Sequence, residues 1–388
     1  MTDRSPSGST PRRADVAIQG RGIVAHTLAL ALAQQGLRVA LVADDTRAAP
    51  PAPDVRAYAL NSASRALLET VRAWPAGEAI TPIAAMRVWG DQRAELGFVP
   101  PAGTDGALGW IVDVPALEQR LDQALDFASG ITRTNTAPTA ALTVVCEGKH
   151  SATRAALGIP VTVRRYPHTA VAARLQASVP HAGVARQWFV RSADGLGHEI
   201  LALLPMGGPE GSEVALVWSL PHADAQAWLQ AEPAALARAV QDRSAHCLGE
   251  LTISSAAQAW PLQCAHTERW FSAGPQGSVA LAGDAAHTMH PLAGQGLNVG
   301  LGDVATLSRV LREREYWRAL GDPKLLRRYE RARAADVAAM QWLTDGLFDL
   351  FGHPDPRVEQ LRHWGLQAVN RLAPVRDWLT RQAMGRTA

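Results

Sequence analysis

Apolar and polar positions along this chain follow two patterns. Near its start, Val16-Ala17-Ile18 forms a short apolar run, with Asp15 before it and Gln19 after it. Gly20-Arg21-Gly22-Ile23-Val24-Ala25 comes next, then the helix-forming stretch Thr27-Leu28-Ala29-Leu30-Ala31-Leu32-Ala33, which Gly36 stops. Leu37 to Val42 is a second apolar run. This order predicts a strand, a helix and a second strand, a βαβ unit of dinucleotide-binding type. The order recurs later: Ser278-Val279-Ala280-Leu281-Ala282 predicts a strand, a glycine-rich segment follows from Gly283, and a helix containing Asp303 runs to Leu311.

Between about 160 and 272 the pattern is β-rich. Ala170–Leu175, Ala185–Val190, Glu199–Met206 and Glu213–Trp218 read as strands of an antiparallel sheet, and Gly207 to Ser212 reads as a hairpin between the last two. A helical stretch from about Asp224 to Leu248 is expected to cover one face. Elsewhere, Asn61 or Ser62 is placed to cap a helix through Leu68, and Ile111 to Val114 leads into a helix with Pro115 near its start. Leu142 to Gly148 reads as a further strand. A helix is expected through Arg327 to Arg333, and Val337 to Met384 is helical with breaks at Pro354, Pro356 and Pro374. The fold class is therefore α/β, with an antiparallel sheet domain and C-terminal helices.

With 388 residues the chain can bury a large core and is expected to hold two domains. Its net charge is +2 with no long basic block, which argues against nucleic acid as a partner. Cys146, Cys247 and Cys264 lack CxxC spacing and read as buried thiols in a reducing cytoplasm. His287 and His290 are three apart but precede Pro291 in a loop, so no metal site is expected. No apolar run approaches the ~18 residues of a membrane span. Residues 1–13 are rich in Ser, Pro and Arg and read as a disordered tail. Trp317, Trp342, Trp364 and Trp378 suit core packing better than a lipid-binding face.

The candidate chemistry lies in the two glycine loops. Gly20 suits a tight turn, Gly22 lets backbone approach a pyrophosphate, and Ala25 is the small residue where helix meets strand. The acid that should meet a ribose is displaced. Asp44, 24 positions past Gly20, takes that role or belongs with Asp45 to a solvated turn; the sequence leaves both open. The second loop runs Gly283-Asp284-Ala285-Ala286-His287-Thr288-Met289-His290-Pro291-Leu292-Ala293-Gly294-Gln295-Gly296-Leu297-Asn298. A Gly-Asp turn followed by glycines at a helix start places backbone N–H groups and a positive helix end against a ligand.

That segment resembles the second FAD-binding motif of the single-component flavin aromatic hydroxylases, the para-hydroxybenzoate hydroxylase type. Its part from His290 to Asn298 is similar to the branch that hydroxylates ubiquinone precursors. The resemblance implies a Rossmann-like FAD-binding domain formed by residues 14–155 and 273–335. It also implies a β-sheet substrate domain over 156–272 that roofs the flavin, and a C-terminal helical region over 336–388. Asp284 should hold ribityl hydroxyls, and Gly283, Gly294, Gln295, Gly296, Leu297 and Asn298 should form the loop around the cofactor. Arg56 and Arg120 match cofactor-side arginines of the family, while Pro291 and Leu292 should lie near the reacting face and the substrate. His287 is expected to make a structural hydrogen bond, and no catalytic acid–base pair emerges.

The implied reaction uses FAD, NADH or NADPH as reductant, and O₂. A flavin hydroperoxide would pass its distal oxygen to a lipophilic polyprenyl phenol. The implied setting is the cytoplasm, at the periphery of the inner membrane and in a ubiquinone-biosynthesis complex. The main departure from the family pattern lies at 126–150, where several strands are trimmed and Cys146-Glu147 replaces Ala-Asp. It puts the handling of the reductant in question. Two rivals follow: a flavin hydroxylase of a small soluble aromatic, and a weakly catalytic accessory member of a ubiquinone-biosynthesis complex.

Overall fold

The computed structural model describes residues 14–42, 53–90, 95–101, 106–191, 198–274, 277–289 and 296–352. Elements are numbered in chain order. The first sheet has six strands in the order β16 (Phe271–Gly274), β17 (Gly277–Leu281), β9 (Ala140–Val145), β1 (Ala14–Gln19), β2 (Val39–Val42) and β8 (Ile131–Thr134). All neighbours are parallel except the β16–β17 hairpin. Helix α1 (Ile23–Ala33) crosses from β1 to β2, and Gly36 ends the connection with φ +79°. α1 is apolar nearly all round, as a helix buried against a sheet and other helices should be. Leu28 and Leu32 join Val16, Ile18, Leu142, Val144 and Leu281 in the core of this part.

A small antiparallel sheet, β3 (Ala57–Leu60), β7 (Trp110–Asp113) and β4 (Ile80–Pro82), follows. Helices α2 (Ser62–Thr70) and α3 (Val114–Phe127) leave it with side-chain caps; of the two candidates for α2, Asn61 is the cap, and Asp113 caps α3. Asn61 accepts from the Ser64 N–H at 2.9 Å, and Asp113 accepts from the Ala116 N–H at 2.9 Å. Short helix α4 (Ala152–Ala156) links β9 to the large sheet.

The large sheet runs β18 (His287–Thr288), β15 (Gln258–Thr267), β10 (Val161–Ala177), β13 (Glu213–Pro221), β12 (His198–Met206), β11 (Val184–Arg191), β5 (Ala85–Trp89) and β6 (Glu95–Phe98). β14 (Leu251–Ile253) pairs with one end of β10. The expected antiparallel strands and the 207–212 hairpin are all present. The β5–β6 hairpin, from much earlier in the chain, extends the far edge; β5 runs parallel to β11. One face of the sheet packs on α5 (His222–Gln230) and α6 (Pro233–Arg243) through Val171, Leu201, Leu216 and Trp218.

The helix expected over 224–248 is thus two helices. Pro233 has no N–H to continue the first and holds Glu232 in an extended conformation (ψ 137°). After α7 (Gly296–Arg312), helix α8 runs unbroken over Pro323–Gly352, through the expected boundary at 335 and 336, because no proline interrupts it before Pro354. No helix among the described residues is long and apolar enough to cross a membrane.

Two expectations about side chains are corrected. Trp317 is 67% and Trp342 79% exposed, so neither packs in the core: Trp317 sits on the turn between α7 and α8, and Trp342 on the outer side of α8. Cys264 is buried, but Cys146 is only partly so and Cys247 is exposed in the turns after α6. Trp364 and Trp378 lie outside the described residues.

Candidate functional site

The first glycine loop leaves β1 at Gln19. Gly20 has φ +141°, and a Cβ there would lie 2.4 Å from the carbonyl oxygen of Cys146 at the end of β9. Only glycine fits such a crossing. Gly22, the N-cap of α1, has φ −92°, and a Cβ there would meet nothing within 4 Å. It therefore fronts open space. No side chain caps α1, so the positive end of the helix faces the same space. Ala25 is fully buried one turn in. Val24 packs where Gly283 and Gly300 leave room; a Cβ at Gly300 would come within 2.9 Å of it. Both glycine loops and α7 therefore meet on the first turn of α1.

The second loop leaves β17 through Gly283, with φ +61°. Its shape is held from below by Asp303 of α7, which is fully buried. One Asp303 oxygen accepts from the Gly283 N–H at 2.8 Å and lies 2.6 Å from His287 Nε2; the other accepts from Arg333 Nε at 2.9 Å. Burial alone would raise the Asp303 carboxyl, but His287 and Arg333 overcome it and hold the group below the usual carboxylate range. His287 is thus tied into the scaffold by a structural hydrogen bond. It also begins β18, which joins the loop to β15 of the large sheet.

Asp284 has the opposite surroundings. Its side chain is exposed to solvent, in a recess where the surrounding protein still disfavours the charge. It makes no hydrogen bond to a described residue. Burial raises its carboxyl, and His287, Lys149 and Arg56 offset this only in part. Tyr58 and Arg56 lie close by: the Arg56 charge acts on both Asp284 and Tyr58, and burial raises the Tyr58 hydroxyl above its ordinary range.

The structure brings together Gly20, Gly22, Ala25, Gly283 and Asp284, with Arg56 beside them. The Arg56 Nε lies 2.9 Å from both carboxylate oxygens of Asp54, and Nη2 is 4.0 Å from Glu118. Burial would lower its pKa, but Asp54 outweighs this and raises it, so Arg56 stays charged and held in place. Arg120, by contrast, lies on the exposed face of α3 and, among the described residues, bonds only Gln123 in its own helix, at 3.3 Å. Asn298 is engaged as a clamp. Its Oδ1 accepts from the Asn61 N–H and Ser64 Oγ, and its Nδ2 donates to the Ala59 carbonyl, tying α7 to β3 and α2. Gly296 opens α7, and Leu297 packs on the core. Asp44, Pro291, Leu292, Gly294 and Gln295 lie outside the described residues.

Sequence reading missed two arginines that shape the cleft. Arg154, buried in α4, donates to the Ala285 carbonyl at 2.9 Å and to the Lys149 carbonyl at 3.0 Å, joining the loop after β9 to the Gly-Asp turn. Arg174 of β10, also buried, donates to the Val55 and Arg56 carbonyls and to Asp113, fixing the large sheet against the Arg56 strand. A weak signal for the first existed: Ser151 three residues before Arg154 marks a helix cap, and Ser151 Oγ does accept from the Arg154 N–H. Glu147 accepts from Ser151 Oγ at 2.7 Å and from the Thr153 N–H at 3.0 Å. The longer acid thus reaches the start of α4 and keeps that loop closed.

These features fit FAD: a backbone crossing that only glycine permits, a helix end fronting open space, and a carboxylate with no donor among the described residues. Ribityl hydroxyls would supply the missing donors. Asp284→Ala should weaken FAD binding by about 10- to 100-fold, the worth of charge-assisted hydrogen bonds, in a titration of apoprotein followed by flavin fluorescence. Protonation removes the acceptor, so affinity in the wild type should fall as pH drops through the raised Asp284 value. That loss should begin above the ordinary 3.8 and be absent from Asp284→Ala. Equal affinity in the two proteins would remove Asp284 from the site.

Residues 123–343 match the family of FAD binding domains. The chain is 31% identical to the ubiquinone hydroxylase UbiL of Rhodospirillum rubrum, over 98% of this chain and 91% of that protein. The chain belongs to the FAD-binding hydroxylases of ubiquinone biosynthesis. A second member, the 3-demethoxyubiquinol 3-hydroxylase of Escherichia coli, is 30% identical over 97% of this chain and all of that one. Among solved structures, p-nitrophenol 4-monooxygenase PnpA of Pseudomonas putida superposes with a TM-score of 0.72 at 16% identity, covering 97% of this chain and 99% of that one. For this hydroxylase family member, that likeness establishes the fold: α/β, with the sheet arrangement of FAD-dependent monooxygenases. The trimmed segment after α3 reduces to the single parallel strand β8 beside β2.

Proposed function

We propose that this protein is an FAD-dependent monooxygenase that hydroxylates the aromatic ring of a polyprenyl-phenol intermediate in ubiquinone biosynthesis. The observation that carries the reading is the Asp284 carboxylate, which has no hydrogen bond to a described residue and sits on the second glycine loop where it meets the first, beside a large sheet whose inner face is mostly apolar. When bound, FAD supplies the oxygen-transfer chemistry, with NADH or NADPH as reductant and O₂ as oxidant. Gly20, Gly22 and the α1 N-terminus would hold the pyrophosphate, and Asp284 the ribityl hydroxyls. Arg56, charged and steered by Asp54, would set the potential of the cleft. The α7 N-terminus at Gly296 and Leu297 would present a positive helix end to anionic parts of the cofactor. Pro291, Leu292, Gly294, Gln295 and Asp44 complete the proposed set, while Arg120 has the weakest support, given its outward position.

The apolar inner face favours a lipophilic phenol over a small soluble aromatic, and a site at the membrane periphery suits such a substrate. Glu147 keeps its loop closed, so the feature that motivated an accessory role does not disturb the cleft. The test supplies FAD-loaded protein with NADH or NADPH, isotopically labelled O₂ and a short-chain prenyl phenol. A product carrying one labelled oxygen on the ring is expected. Absence of phenol-dependent O₂ uptake, together with unchanged cellular ubiquinone when the protein is lost, would defeat the proposal.

A further inference from the structure

The inner face of the large sheet has an opening at its centre. Along β12 and β13 successive side chains alternate between faces. Leu201, Leu203, Leu216 and Trp218 point to α5 and α6 and are at most 1% exposed. Ala202, Leu204 and Val217, on the same two central strands but the opposite face, are only half-buried. A central strand is open on one side only where nothing packs across it. On one side of the opening stand Tyr166, Phe189, Ile200 and Leu262. On the other, Met206 and Ala215 pack against Ile111 of the small sheet.

The strand register places Val88, Gln187, Ala202, Val217 and Ala172 in one row across five strands of this face. Four are apolar. The fifth, Gln187, is 8% exposed as a residue; its amide makes no hydrogen bond to any described residue and keeps some access to solvent. A mostly buried glutamine whose amide stays accessible on an apolar row leaves that amide free to hydrogen-bond whatever enters the row. Ala172 and Ala202 are small enough to leave space for a flat ring along the row.

We infer that Gln187 reads the substrate: its amide oxygen accepts a hydrogen bond from the ring hydroxyl of an apolar phenol lying over Ala172, Ala202 and Val217. This rests on the hydroxylase reading above and adds to it the residue that distinguishes a phenol from a plain arene. Gln187 positions and selects, and takes no part in bond making.

The test compares two ligands on FAD-loaded protein by calorimetric titration, 2-geranylphenol and geranylbenzene, which differ only in the hydroxyl. Wild type should prefer the phenol. Gln187→Leu, of similar volume, should weaken the phenol by about tenfold, the scale of one buried hydrogen bond, and leave geranylbenzene unchanged. The ligand-free variant should melt at about the same temperature, because the amide makes no hydrogen bond to a described residue that the change would remove. Ala202→Leu, which fills the row and keeps the amide, should weaken both ligands. A phenol preference retained in Gln187→Leu overturns the inference, as does equal loss of both ligands with a lower melting temperature, the mark of a structural residue. Wild type that binds neither ligand defeats the hydroxylase reading itself, and this inference with it.

Discussion

Asp303→Ala is expected to destabilise the fold by about 3–5 kcal/mol, the usual result of removing one partner of a buried ion pair, and to abolish FAD binding. The Asp303 side chain is fully enclosed and serves three donors: the Gly283 N–H, His287 Nε2 and Arg333 Nε. Without it, Arg333 keeps its bonds to the Val299 carbonyl and Asp336 but loses its buried counter-charge, and the left-handed turn at Gly283 loses its anchor. Asp284 follows that turn directly, so the cleft is lost with it. Asp303→Asn keeps the size and one acceptor and should fall between the two. Calorimetric melting and flavin absorbance per protein measure both effects, and an unchanged melting temperature in Asp303→Ala would remove the network from its proposed role.

The network also has a pH signature. Its folded pKa is depressed, so its stabilisation is fully present above the unfolded value near 3.8 and is lost as pH falls through the lower folded value. Acid unfolding of the wild type should contain this component, and that of Asp303→Ala should lack it.

The second large effect separates two glycines that look alike in sequence. Gly20→Ala places a methyl group 2.4 Å from the Cys146 carbonyl oxygen at φ +141°. The backbone conformation alone costs about 1–3 kcal/mol for a residue other than glycine, and the clash forces the ends of β1 and β9 apart. Gly22→Ala meets nothing and sits at an ordinary φ, so the apoprotein should lose less than about 1 kcal/mol. Its methyl group would instead occupy the space that a pyrophosphate needs, and FAD affinity should fall at least about tenfold, or 1.4 kcal/mol. Denaturant unfolding of the apoproteins and flavin titration give the two readouts. If Gly22→Ala binds FAD like the wild type, the space before α1 is not the cofactor's.

What the sequence determined by itself is local. The β1–α1–β2 unit, the cap at Asn61, the 207–212 hairpin and the Gly-Asp turn before α7 each depend on a few neighbouring residues. Side-chain period, turn chemistry and the conformational freedom of glycine act over that range, so a reader of the sequence can find them. The split between α5 and α6 was equally local, since Pro233 carried its signal in plain view. The tertiary structure decided everything that joins distant segments. It set Arg154 against Ala285, 131 positions away, and Arg174 against Val55, 119 positions away. It brought the β5–β6 hairpin to the edge of the large sheet, left Trp317 and Trp342 outside the core, and set Gln187 in a row across five strands with no bond to a described residue. An arginine has the same local pattern whether it meets solvent or a buried carbonyl. Its partner is chosen only when the sheets close on each other, because desolvation then requires every enclosed charge and amide to find a partner in the protein or in what the protein binds.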